Sequence, residues 1–239
     1  MRILIFALEI SPFTKPSFSE PRYPIRMDKR ASLEALNKRM LAEVSCNPPE
    51  SPPVAGAGNP DSPVMFIGHN PSGTDTQTSR PYTGPAGEIF DELLAQAGFS
   101  RDDVYITNLV KCWLWKEENG IKVNRTPTAK EIKSWVPAWL KPEIDIIQPK
   151  AIVCLGGPTA QHFLGKDFKI TLQGGEWLEV PPESPYLKLA GSLPSPKPLI
   201  MGIPQPSYLI HIREHSPESY PAARANMVAD LLKVKAVLE

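Results

Sequence analysis

Three side-chain amides and a histidine stand where this chain could hold a small ligand: His69 and Asn70 in "VMFIGHNPSG", Asn108 in "VYITNLVKC" and Gln205 in "GIPQPSYLI". Each lies at or just beyond the end of an apolar run of strand length, and an amide there can donate one hydrogen bond while accepting another. Together they could form a polar, hydrogen-bonding site, and a lone histidine in such a turn is more often structural than catalytic. Gly68, Pro71 and Ser72 complete the first turn, and Gly156-Gly157 and Ser207 fall at equivalent places further along. No nucleophile-elbow pattern follows any strand, so a Ser-His-Asp set is not indicated. Without a Walker loop or a G-x-G-x-x-G, nucleotide hydrolysis and hydride transfer lack their usual phosphate cradle.

The elements that must position these residues follow a repeated order. Strands are expected at 64–67, 104–110, 151–155 and 199–203, and helices at about 86–97, 128–147, 158–164 and 217–237. Strands alternating with helices imply a three-layer α/β/α fold around a mostly parallel four-stranded sheet. In such sheets the ligand sits beyond the carboxyl ends of the strands, where the amides and the histidine fall. "FKITLQGGEWLEV" reads as two short strands around a Gly-Gly turn. Residues 47–63 are so rich in Pro and Gly that neither helix nor ladder should persist, and "ASLEALNKRMLAEV" before them reads as an amphipathic helix. The expected division is therefore an N-terminal extension, 1–63, packed on a single domain, 64–239.

Composition narrows the classes. The 239 residues carry 26 Lys plus Arg against 26 Asp plus Glu, so any nucleic-acid contact must be local. The start, "MRILIFALEISPF", is too short to span a bilayer and lacks a basic leader, and it reads as a tail or an added strand. Cys46, Cys112 and Cys154 are odd in number and far apart; they make neither a disulfide framework nor a complete metal site, and a reducing cytoplasm is the natural compartment.

The ordered blocks "GHNPSG", "RPYTGPAGEIFDELL", "VYITNLVKC", "RTPTAKEI", "PKAIVCLGGPTAQHFLG" and "GIPQPSYLI" resemble the uracil-DNA glycosylase superfamily, closest to its family 4 and the covalently trapping UdgX branch, over residues 60–235. The resemblance implies a base-excision repair hydrolase that flips uracil out of single- or double-stranded DNA and cleaves its glycosidic bond, leaving an abasic site. It places Asn108 on the pyrimidine edge, Tyr82 against the face of the extruded base, Ser207 on a neighbouring phosphate, and Tyr208 and Leu209 as the wedge that fills the vacated stack.

Departures from the family matter as much. His69 replaces the glutamate of Gly-Glu-Ala-Pro-Gly, and Asn70 matches the water-orienting asparagine of the Gly-x-Asn-Pro-Gly branches. Gln205 replaces the histidine of His-Pro-Ser, whose donor is worth roughly 3 kcal/mol in comparable sites. Cys46 and Cys112 fall near two places of the family's four-cysteine iron–sulfur ligation, but Pro49 and Ser134-Trp135 occupy the others, so no cofactor is expected. Trp113, Trp115 and Trp135 are expected to fill that region by packing. The UdgX nucleophile position falls on Asn124, which is not a competent nucleophile. The expected protein is thus a monomeric, monofunctional glycosylase with no membrane contact. The alternative is a weak or inactive module that binds a modified base, abasic DNA or a nucleotide.

Overall fold

Alternation of side chains along each strand sorts the core into two halves. In a computed structural model, which describes residues 28–46 and 51–239, Met65 and Ile67 of strand β2 (Val64–Gly68) face one buried cluster while Val64 and Phe66 face the other. Strand β6 (Ala151–Leu155) behaves the same way: Ile152 and Cys154 go to the first cluster, Ala151, Val153 and Leu155 to the second. Both strands are buried over their whole length, which is why they read as unbroken apolar runs.

The described residues run in the order α1 (Lys29–Glu43), β1 (Ala57–Gly58), β2, α2 (Gly73–Thr78), α3 (Pro85–Gln96), β3 (Tyr105–Asn108), β4 (Trp115–Glu118), β5 (Ile121–Asn124), α4 (Ala129–Trp135), α5 (Lys141–Ile147), β6, α6 (Gly157–Leu164), α7 (Ile170–Gln173), α8 (Pro185–Ala190), β7 (Leu199–Ile203), α9 (Pro206–His215) and α10 (Tyr220–Leu238). The sheet order is β1-β3-β2-β6-β7. β3, β2, β6 and β7 are parallel, and β1 pairs antiparallel with β3 through Ala57 opposite Ile106 and Gly58 opposite Tyr105. One cluster joins the sheet to α1, α5, α6 and α8; the other joins it to α3, α9 and α10.

The expected four-stranded sheet therefore has five strands. A short ladder does form within the Pro/Gly-rich stretch, because Gly58 at φ 117° brings its backbone against the Val104 carbonyl, where no side chain fits. The segment expected as a hairpin around Gly174-Gly175 instead begins as α7, closed by the Gly174 amide on the Ile170 carbonyl at 3.0 Å; only Leu178 then bridges antiparallel to Ile200. A hairpin occurs elsewhere, in β4–β5, whose turn has Asn119 at φ 52° and Gly120 at φ 76°, the pattern that Asn-Gly favours. The expected helix 128–147 is α4 and α5 joined by a π-helical segment, Val136–Leu140. Of the stripe expected on helix α1, Leu33 and Met40 are buried and Leu36 and Val44 partly so, while Leu41 is exposed. The start expected as a tail or strand lies outside the described residues. Among those described, no helix is long and apolar enough to cross a membrane.

Candidate functional site

Parallel pairing of β2 with β3 puts Gly68 opposite Asn108, so the first turn and the second amide share one sheet rim. The pairing continues past the strands: Leu109 N–H donates to the Gly68 carbonyl at 2.9 Å and Val110 N–H to that of His69 at 3.1 Å. Gly68 is required here, since a Cβ would run into the Tyr82 hydroxyl and Asn108 Oδ1. Asn108 is 2% exposed and its Oδ1 has no partner, although buried acceptors are ordinarily paired. It is not on the wall of the adjoining cleft, which Tyr82 lines.

That cleft holds about 660 Å³ and is lined by His69, Asn70, Ser72, Tyr82, Gln205 and Ser207 on one side and by Trp113, Lys122, Asn124 and Arg125 on the other. Asn70 Nδ2 donates to the Pro71 carbonyl at 3.1 Å, which fixes the amide and leaves its Oδ1 as an acceptor. Gln205 folds over Gly156, whose φ of 100° and close approach exclude a side chain there, and its Oε1 accepts from Ser207 Oγ at 3.4 Å. His69 is buried, and burial pulls its pKa below the ordinary histidine value, favouring the neutral ring. His162 of α6 is also buried, edge-on to Phe163 and Tyr186; burial first, and the charge of His69 second, bring its pKa down to about 4.

Tyr82 is held in a left-handed backbone, φ 57°, by two residues that sequence reasoning missed. Asp75 closes a capping box with Ser72, accepting from its N–H at 2.8 Å, while its other oxygen accepts from Thr83 N–H at 2.7 Å. Arg101 donates to the carbonyls of Pro81, at 2.9 Å, and of Tyr82. Asp75 thus ties the Asn70 turn to the Tyr82 loop. Burial, and secondarily the Asp75 charge, push the Tyr82 phenol well above its ordinary pKa, so it stays protonated. The Ser-x-x-Asp spacing at 72–75 is a readable capping box, whereas nothing in the sequence marks Arg101.

A buried polar network, also missed, fixes β3 from below. Lys111 Nζ lies 2.5 Å from Glu143 Oε2, and Glu143 further accepts from the Tyr105 hydroxyl at 2.9 Å and Thr107 Oγ1 at 3.0 Å. Burial lowers the Lys111 pKa, with Glu143 opposing.

The wedge expectation divides. Tyr208 is 43% exposed, but Leu209 is fully buried against the sheet, because Pro206 starts a helix that runs straight through this segment. Leu209 is therefore unavailable to fill a vacated base stack. Asn124 Oδ1 accepts from Trp113 Nε1 at 2.6 Å, so the residue that the resemblance set at the nucleophile position is engaged with the indole.

Cys46 and Cys112, expected as unpaired thiols, form a disulfide with Cα atoms 5.6 Å apart; the fold brings together positions 66 apart in the chain, which spacing alone does not show. Around them pack Met40, Val110, Leu114, Trp135 and Trp139. Trp113 and Trp115, expected in this packing, lie in the β4–β5 region instead. These residues do not fit an iron–sulfur cluster: two sulfurs bonded to each other among apolar side chains cannot supply four thiolates. Among the described residues no group of three or more His, Cys, Asp or Glu side chains could hold a metal ion.

An open, mostly parallel α/β sheet with a polar cleft at its carboxyl rim defines a small-ligand site of the strand-end type. The chain belongs to the uracil DNA glycosylase superfamily, whose model matches residues 55–232. It is 40% identical over 129 residues to the Type-4 uracil-DNA glycosylase of Thermotoga maritima, covering 52% of this chain and 63% of that protein. Over 108 residues it is 37% identical to the Archaeoglobus fulgidus Type-4 uracil-DNA glycosylase, covering 45% and 50%, and over 119 residues 34% identical to a Type-5 uracil-DNA glycosylase of Pyrobaculum aerophilum, covering 44% and 49%. The matched part thus spans from about half to just under two thirds of these relatives.

Proposed function

We propose that the protein is a monofunctional uracil-DNA glycosylase, acting as a cytoplasmic monomer in base-excision repair. The observation that carries this reading is the polar cleft at the carboxyl rim of the sheet, lined by His69, Asn70, Tyr82, Gln205 and Ser207. Asn108 lies outside that lining with its Oδ1 buried and unpartnered, a cost of roughly 1–3 kcal/mol that uracil N3–H relieves once the base passes Tyr82, while Nδ2 donates to uracil O4. Tyr82 stacks on the base, Asn70 Oδ1 orients the water, and Gln205 Nε2 supports the charge that develops on O2. As water oxygen bonds to C1′, the C1′–N1 bond breaks and its electron pair passes into the uracil ring. The neutral His69 ring is available to take the water proton. Ser207 contacts a flanking phosphate, Gly68, Pro71 and Ser72 shape the turn, and Tyr208 alone serves as wedge. In the reducing cytoplasm Cys46 and Cys112 would be held as thiols, and the disulfide belongs to the oxidised form. No iron–sulfur cofactor takes part.

The experiment is release of free uracil from a uracil-containing oligonucleotide, read as strand cleavage after alkali. The wild type should leave an abasic site and no adduct stable to heat and detergent. Asn70→Ala should lose roughly 10²-fold in single-turnover rate with little change in binding, because its contribution belongs to the transition state. Asn108→Ala should weaken both. The His69 and Gln205 departures favour one other reading, a pocket that binds abasic DNA or a modified base without cutting; absent excision with retained abasic-site binding would select it.

A further inference from the structure

The β4–β5 hairpin stands apart from the main sheet yet supplies one wall of the cleft. Trp113, just before β4, has its six-membered ring packed on Gly73, with ring atoms 3.1 Å from where a Cβ would lie. Gly73 opens α2, directly after the Asn70 turn and its Ser72 cap, so this wall and the turn form one unit. The Asn124 carbonyl fixes the indole through its N–H at 2.6 Å. Trp115 lies 6.1 Å away at 42°, and Lys122 Nζ sits 4.3 Å over the Trp115 ring and 6.0 Å from the Trp113 ring. Arg125, on the same wall, donates to Glu131 through two hydrogen bonds, of 2.9 and 2.6 Å, and Lys122 too has a partner within the fold. The cleft at about 660 Å³ is larger than one extruded pyrimidine needs, and its far wall is aromatic and cationic.

We infer that Trp113, with Lys122 beside it, binds the nucleotide next to the extruded one, the indole stacking its base and the ammonium meeting its phosphate, so that the preferred substrate is single-stranded DNA. An indole stacks on any base, worth on the order of 1–3 kcal/mol, and a nearby cation adds to the attraction. The base must present an open face. In a duplex the faces of the neighbouring base are covered by its own stack, so the wall has nothing to hold; in a single strand that base is available. The inference rests on the glycosylase reading for the identity of the neighbouring nucleotide, but not for the stacking itself.

The test is tryptophan fluorescence of the full chain titrated with a uracil-free oligonucleotide of about ten residues, single-stranded and as duplex. Single strand should quench the emission and bind about tenfold more tightly than duplex. Trp113→Ala should weaken single-strand binding about tenfold and duplex binding less than twofold, and Trp113→Phe, which keeps a stacking face, should retain most of the affinity. Lys122→Ala should lower the slope of log affinity against log salt by about one. Tighter duplex binding, equal losses on both substrates, or an unchanged salt slope together with full affinity in Trp113→Ala would overturn the inference. If Trp113→Ala does not fold, Trp113→Phe and Lys122→Ala still decide. No excision step enters these titrations, so failure to release uracil sinks the glycosylase reading alone, and lack of single-strand preference sinks this one alone.

Discussion

The two walls of the cleft are held by different means. On the strand-end side, Asn108 and His69 are fixed by backbone pairing between β2 and β3 and its continuation, Asn70 by its own bond to the Pro71 carbonyl, and beneath them lies the hydrogen-bonded network of Lys111, Glu143, Thr107 and Tyr105. On the hairpin side, the apolar packing of Leu114, Trp135 and Trp139, joined in the oxidised form by the Cys46–Cys112 disulfide, anchors Trp113 and the strands that follow. The first arrangement is intolerant of a missing partner, because charges buried without one are costly. The second is tolerant of chemical change, because burial is non-directional and asks mainly for volume.

Removing one member of the network should have the largest effect. Glu143→Ala leaves the Lys111 ammonium buried without its counter-charge and should cost about 3–5 kcal/mol in denaturant unfolding. Replacing both, Lys111→Met with Glu143→Leu, should cost less than the single change, since both desolvated charges then vanish together. If the double variant proved worse than Glu143→Ala, the network would be a packing feature and not an electrostatic one. On the hairpin side, reducing the disulfide releases a 66-residue loop constraint. The chain-entropy model gives about 4 kcal/mol as an upper value. The drop should be seen as a lower unfolding midpoint with reductant, and Cys46→Ser should show the same midpoint with or without it. A Cys46→Ser protein that still responded to reductant would remove this anchor from the comparison.

How much of this was legible follows the same division. The parallel strands announced themselves because burial on both faces writes an unbroken apolar run, and the amides at their ends were visible as polar residues ending such runs. Asp75 was readable through its spacing to Ser72, and the β4–β5 turn through Asn119-Gly120. Arg101, Glu143 and His162 were not, because each acts on a residue distant in sequence that only the fold brings near. The pairing of Cys46 with Cys112 was hidden for the same reason. Leu209 was misplaced because "PQPSYLI" fits a loop as well as a helix start; only the packing of α9 against the sheet decides for the helix.

Acid should act behind the polar rim before it affects the hairpin. His162 carries a folded pKa of about 4 against roughly 6.5 unfolded, so between these values the unfolded chain binds more protons. Stability is therefore complete above about pH 6.5 and falls as pH drops toward 4, by an amount on the order of 3 kcal/mol. The ring packs against Phe163 and Tyr186 and its Nε2 has no partner, so His162→Phe keeps the packing and removes the titration. Unfolding free energies measured from pH 4 to 7 should be distinctly flatter in this variant. An unaltered slope would place the acid sensitivity elsewhere.

The smallest expected effect tests whether the rim tolerates a change of donor as the hairpin side tolerates a change of anchor. Gln205 lies over Gly156, accepts from Ser207 through Oε1 and has Nε2 left to donate. A neutral imidazole offers the same pair of functions, one ring nitrogen accepting and the other donating. Gln205→His should therefore leave uracil excision unchanged or raise it by up to about tenfold, the gain coming from a stiffer ring that loses less freedom in holding its donor toward O2. Gln205→Ala removes the donor and should lower the rate, by up to about the 10²-fold seen for a single oxyanion donor elsewhere. Equal rates for alanine and glutamine would mean that residue 205 supports no developing charge, and the leaving base would then depend on the Asn108 side of the site alone.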